Sequence, residues 1–214
     1  MYRIVLLALL LPTAMAGSKV IRTPEYKKLK AMHQDLGIVL VGDATYELQH
    51  RKNSREVIGT ELCPHLVRYF KSTDTFGLVR CVVVPGGNVG TERSIEVGKD
   101  TLDIELPADG STHTIDRRDP AVVLFIQDLK ILNTLERDEL RALEDAGDSA
   151  FKKPITLFGR FAWWDNQQGA LMAYKGFDAT TTRVLYDGED PQLDDLAWYF
   201  ARELGNGMPF EFTW

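Results

Sequence analysis

Residues 155–177, ITLFGRFAWWDNQQGALMAYKGF, constrain the fold more than any other stretch of the chain. Ile155 to Trp164 is dense in β-branched and aromatic residues, which suit a pleated, half-buried surface. Ala170 to Phe177 has the same character. Between them lies DNQQG, a turn-forming cluster whose Gly169 takes a positive φ at low steric cost. The pattern predicts a β-hairpin. Strict alternation then puts Phe161 and Trp163 on one face and Phe158 and Trp164 on the other. One face must pack in the core. If nothing covers the other, its aromatics form an exposed patch of the kind that marks a partner or ligand surface. Phe161, Trp163, Trp164, Asp165 and Tyr174 are therefore the candidate binding residues; a covering layer on both faces would make them core instead.

The first residues, MYRIVLLALLLPTAMA, read as a cleaved leader. Arg3 is a positive n-region, Ile4 to Leu11 a short apolar core, and Ala14-Met15-Ala16 a small-residue cleavage site before Gly17. The apolar run is far shorter than the ~20 residues a membrane-spanning helix needs. No cysteine follows the cleavage site, so no lipid anchor is expected. These features predict an exported protein, periplasmic or secreted, with a signal peptide at 1–16 and a soluble domain at 17–214. Lys and Arg total 25 and Asp and Glu 31, a net charge of −6, and removing the leader with Arg3 makes it more negative. Such a surface repels phosphate backbones, which argues against nucleic-acid binding.

Cys63 and Cys81 are the only cysteines. An even count in an exported chain points to a disulfide. The alternative is two free buried thiols, because Cα spacing decides the matter and spacing in sequence does not give it.

Taken in order, Leu36 to Gly42 reads as a buried strand. Asn53, with Glu56 three residues on, resembles a capping box opening a helix. Val57, Ile58, Leu62, Leu66, Tyr69 and Phe70 would form its apolar face, and Pro64 should kink or split it. Leu78 to Val84 is a second buried strand. The glycine-rich PGGNVG at 85–90 lacks the Lys-Ser/Thr that a P-loop requires and runs on into strand-like Ser94 to Val97, so it reads as a turn rather than a phosphate cradle. Thr101 to Leu106 and Thr112 to Ile115 flank a PADGS turn and read as a hairpin with one wet face. Ala121 to Leu129 is the most apolar strand and is expected at the sheet centre. A surface helix is expected over 134–146, a further strand over Thr180 to Tyr186, and a last amphipathic helix from Asp190-Pro191 to Leu204. The aromatic tail MPFEFTW is expected to dock on the core. Together these elements predict a single α/β or α+β domain, a mixed β-sheet packed by two main helices.

Catalytic patterns are sparse. His33, His50, His65 and His113 have no i, i+4 partner among themselves and there is no H-E-x-x-H. Cys63-Pro64-His65 would converge on a metal only if Pro64 broke the helix, since i and i+2 on a helix point about 200° apart. There is no G-x-S-x-G elbow. Ser111 and His113 would share a strand face but have no third group to orient them. No cofactor or metal is implied.

The run F-x-WWDNQQG-x-L-x-x-Y-x-G, followed by a polar gap and a helix ending in MPF, resembles a loosely defined set of bacterial exported envelope proteins. That likeness covers roughly residues 121 to 210, and more remotely the chain resembles the α/β domain of the amino-terminal part of TolB and of the curli secretion-channel lipoprotein. Many such proteins carry a lipidated cysteine, which this chain lacks. The resemblance implies a non-enzymatic role in the cell envelope, as a binding or assembly component with an envelope protein as partner. The alternatives are an exported hydrolase, marked by His113 or His65 in a cleft beside a nucleophile, and a small-ligand carrier with a closed apolar cavity.

Overall fold

The computed structural model describes residues 21–22, 34–48, 55–73, 75–97, 100–133, 150–186, 200–202 and 204. The leader, the 134–146 helix, Asn53, His33, His50, the start of the last helix and the aromatic tail lie outside these residues.

A mixed sheet forms the centre. Its strands are β1 (Ile21–Arg22), β2 (Gln34–Val41), β3 (Thr45–Leu48), β4 (Glu56–Val57), β5 (Phe76–Val84), β8 (Val122–Asn133), β9 (Ala150–Asp165) and β10 (Ala170–Tyr186). The main path runs β1-β10-β9-β8-β2-β5. β2 is parallel to both β5 and β8, and α1 (Gly59–Ser72) lies between β2 and β5 in the chain. A parallel pair needs such a crossover. β8 sits at the centre, as its hydropathy predicts. It bulges between Gln127 and Lys130, with Asp128 at φ 50°. Before the bulge β8 pairs with β2, and after it with β3.

Leu36 to Val41 of β2 and Val122 to Ile126 of β8 are apolar because both faces are covered there. On one face Leu36, Ile38, Leu40, Leu124 and Trp163 meet Leu62, Leu66 and Phe70 of α1, together with Phe200, Ala201 and Leu204. Phe76 stacks on Trp163 at 6.3 Å and Phe70 meets the same indole edge-on at 6.2 Å. On the other face Val39, Val41, Val123, Phe125, Ala162 and Trp164 pack against Ile104, Leu106 and Ile115. Ile104 and Leu106 belong to a separate two-stranded sheet of β6 (Thr91–Val97) and β7 (Asp100–Leu106).

Packing of the sheet by two main helices is not supported among the described residues. One face has α1 and helical residues 200–202 and 204, and the other has a β-hairpin. That hairpin corrects a pairing as well: β7 pairs antiparallel with β6, not with 112–115, where Ile115 makes only an isolated bridge to Arg118. The helix start also moves. Glu56 and Val57 form β4 on β3, the Ile58 amide donates to Ala44 O at 2.8 Å, and α1 begins at Gly59 with no side-chain cap. Pairing across the sheet wins over a local cap. α1 runs unbroken through Pro64. Pro64 lies exposed, as does Thr60, whose carbonyl loses its helical partner. The expected strand at 180–186 is the far end of β10, which pairs with β9 along its whole length. Cys63 of α1 and Cys81 of β5 are disulfide-bonded, with Cα atoms 5.4 Å apart. No described helix is long and apolar enough to cross a membrane.

Candidate functional site

The DNQQG turn is a clamp. Asp165 Oδ1 accepts from the amides of Gln167 and Gln168 at 2.9 Å each, closing the turn on itself. Asn166 is buried, and its carboxamide ties down the 107–120 segment. Its Oδ1 accepts from His113 N at 2.6 Å, and its Nδ2 donates to His113 O at 3.0 Å and Pro120 O at 2.8 Å. Gly169 (φ 64°) accepts from Gly110 N, and a Cβ there would stand 2.4 Å from Gly110 C. No side chain fits, so the residue type is set by backbone approach as well as by φ.

The aromatics of the hairpin lie inside. Phe161 and Trp163 belong to the α1 face and Trp164 to the β6–β7 face, as alternation predicts, and Tyr174 joins Trp164 there. Trp163 and Trp164 are fully buried. Tyr174 donates its hydroxyl to Glu96 O at 3.2 Å, under β6, and burial raises its pKa. The condition for an exposed aromatic patch, an uncovered second face, is not met: β6 and β7 cover it. Phe158 is half-buried. Asp165, the polar member of the set, spends one oxygen on its own turn.

The glycine-rich loop at 85–90 is a cradle after all, for an internal anion. Glu105 Oε1 accepts from Val89 N at 2.6 Å and Gly90 N at 3.0 Å, and Oε2 accepts from Gly87 N at 2.8 Å. Burial pushes the Glu105 pKa up, but the Gly87, Gly90 and Val89 amides outweigh it, and the net value falls below the ordinary one. The Glu105 backbone is held in turn by the buried carboxamide of Gln127, which accepts from Glu105 N and donates to Glu105 O. The cradle is filled by the protein itself and offers nothing to a phosphate.

His113 and Ser111 do not form a catalytic pair. Ser111 Oγ donates to Ala108 O at 2.5 Å. The His113 ring meets Phe125 edge-on at 5.3 Å, and burial lowers its pKa. Cys63, in its disulfide, has no thiolate for the Cys63-Pro64-His65 cluster. Among the described residues no three His, Cys, Asp or Glu side chains gather as metal ligands.

A contact surface lies elsewhere, where α1 meets the edge of the sheet. An open groove of about 610 Å³ is lined by Thr60, Cys63, Pro64 and Val67 of α1 and by Cys81, Val82 and Val83 of β5. The disulfide forms part of its wall. Val57 (61 % accessible) and Val83 (41 %) are the large hydrophobics exposed among the described residues. Both flank the helix start: Val57 lies two residues before Gly59, and the Val83 methyls lie 3.5 Å from where a Gly59 Cβ would be. β5 is the outermost strand on this side among the described residues. No sequence signal marked this groove, because it depends on which strand ends up at the edge.

No family model matches the chain, and no curated protein matches it. Among solved structures it is similar to the PelC dodecamer from Paraburkholderia phytofirmans, with 11 % identity over 90 % of this chain and 98 % of that one and a TM-score of 0.39. It is also similar to protein XCC0632 from Xanthomonas campestris, a DUF330 protein, with 11 % identity over 87 % and 85 % of the two chains and a TM-score of 0.36. A putative neuraminyllactose-binding hemagglutinin homologue from Helicobacter pylori follows, with 12 % identity over 83 % and 87 % and a TM-score of 0.31. At scores this low, none of these likenesses places the chain in a family.

Proposed function

We propose that this protein works outside the cytoplasm as a non-enzymatic binding or assembly component of the bacterial cell envelope, residues 17–214 acting as one domain. The observation that carries the reading is the α1–β5 groove, where an apolar wall, two exposed valines and an outermost strand come together. Apolar surface gathered in one place is what a partner covers. Export is supported by the leader pattern at 1–16 and by the Cys63–Cys81 bridge, a bond that persists in oxidising compartments. The contact surface proposed is this groove rather than the 155–177 hairpin, whose aromatics are committed to the two cores.

The test is photo-crosslinking in intact cells, with a benzophenone amino acid in place of Val83 and a second one at the distant, exposed Gln167. A specific, stoichiometric protein adduct from position 83 and none from 167 is the expected result. Absence of any adduct from 83, with the protein recovered alone in the soluble fraction, would refute the reading.

A further inference from the structure

The groove is bounded by a strand whose outer edge is unusually poor in the devices that keep edges apart. In a strand paired on one side, residues alternately turn both backbone groups toward the partner and away from it. Two hydrogen bonds fix the phase for β5. Val84 O accepts from Gly42 N, and Leu78 N donates to Asp35 Oδ1 on the β2 side. Even-numbered residues thus face β2, and the N–H and C=O groups of Cys81 and Val83 face outward. Val79 shares that phase but is buried, whereas Cys81 and Val82 are half-buried and Val83 is exposed. Among the described residues, the open part of the edge is therefore Cys81 to Val84.

Natural edges are blunted by Lys, inward charge, proline or a bulge. Cys81 to Val84 has none of these. The β2–β5 register is unbroken across it, and Pro85 comes only after the strand has ended. Arg80, the nearest charge, is paired with Asp116 at 3.6 Å on its own chain. The outward backbone groups are free to pair with a second strand, and the exposed valine beside them adds apolar surface that a partner would cover.

We infer that β5 pairs with β5 of a second copy of this chain, antiparallel about a two-fold axis at Val82. The reasoning rests on the contact surface proposed above and names its occupant. The segment is self-complementary in this register. Cys81 lies opposite Val83 of the partner and Val83 opposite the partner's Cys81, so the outward backbone groups of both residues are bonded on both sides. Arg80 faces Val84 of the partner subunit, not a second arginine, so like charges do not meet across the strands. The two-fold runs perpendicular to the sheet, so both α1 helices fall on the same face. The two grooves then adjoin, and the exposed Val57 and Val83 of each copy are covered. A second copy brings an edge of the same length, equally free of charge and proline, in a register where no like charges meet.

The experiment uses the oxidised, leader-free protein and the intact cell together. Sedimentation equilibrium should give the mass of two chains. Val83→Lys places a charge on the edge and should return the mass of one chain, with the circular dichroism spectrum and the absence of free thiols unchanged. Val83→Pro removes one outward donor, is tolerated at a sheet edge, and should act in the same direction. If Val83→Lys does not fold, Val83→Pro and the benzophenone variant still decide. In cells, the adduct from position 83 should be a covalent homodimer. A monomeric wild-type protein, or an adduct to a different protein, overturns the second copy as occupant while the contact surface stands. An intrachain adduct, or none, overturns both.

Discussion

Replacing Glu105 with Gln keeps the size of the side chain and removes its charge. The retained Oε1 can still accept from Val89 N and Gly90 N, but as a neutral acceptor. The new amide group stands where Oε2 accepted from Gly87 N, so a donor faces a donor. Hydrogen bonds to charged groups contribute about 1.5–3 kcal/mol each and neutral ones about 0.5–1.5. Two weakened bonds and one lost amount to about 3 kcal/mol, and partial exposure of the carboxylate lowers that to about 2 kcal/mol. For a domain of this size the melting temperature should fall by about 4–8 °C near neutral pH. The pH dependence gives a second check. The folded pKa of Glu105 is depressed, so its contribution is present above the ordinary value of 4.5 and is lost as pH falls through the lower folded value. Thermal melts of the oxidised protein and of Glu105→Gln from neutral to strongly acidic pH should converge at the acid end. A variant that melts within ~1 °C of the parent at neutral pH, or a gap that does not close in acid, would refute the cradle as a source of stability.

Asn166→Ala leaves the His113 amide and two carbonyls unpaired in a buried site and should cost about 3 kcal/mol by urea unfolding. Because burial lowers the His113 pKa from 6.5, the unfolded chain takes up that proton first as pH falls. Stability should then decline below pH 6.5 and level off beneath the depressed value. His113→Phe keeps a ring against Phe125 and should flatten that part of the stability–pH curve. The Cys63–Cys81 bridge should leave no alkylatable thiol in non-reducing mass analysis, and replacing both cysteines with Ser should cost about 3 kcal/mol, measured by chemical denaturation.

Periodicity alone revealed much of this fold. The apolar runs of β2, β5 and β8 and the aromatic arms around DNQQG announced the sheet, and the spacing of Leu62, Leu66 and Phe70 announced α1. Its start was misplaced because Asn53 and Glu56 satisfy a local rule, whereas Val57 and Ile58 answer to β3 and Ala44. The hairpin on the second face was misassigned because the PADGS turn drew attention from the closer pairing of Thr91–Val97 with Asp100–Leu106. The Asn166 clamp and the Glu105 cradle were not legible: their partners lie 46 and more residues away for Asn166 and about 15 to 18 for Glu105. The groove beside α1 was illegible for a further reason, since hydropathy identifies an apolar strand but does not say whether it ends up in the middle of a sheet or at its rim.

The position of β2 bears on when the chain can fold. β2 is made early but lies between β5 and β8, and β3 also rests on β8, beyond the bulge. Until residue 127 exists, one whole side of β2 has no neighbour, and the β6–β7 hairpin has no Phe125 or Trp164 to sit on. Pairings so distant in sequence form slowly. An emerging amino-terminal half can pair β2 with β5 but leaves the other side of β2 unfilled until β8 arrives. Under the export proposed above, that delay would keep the chain threadable during its passage through a narrow pore.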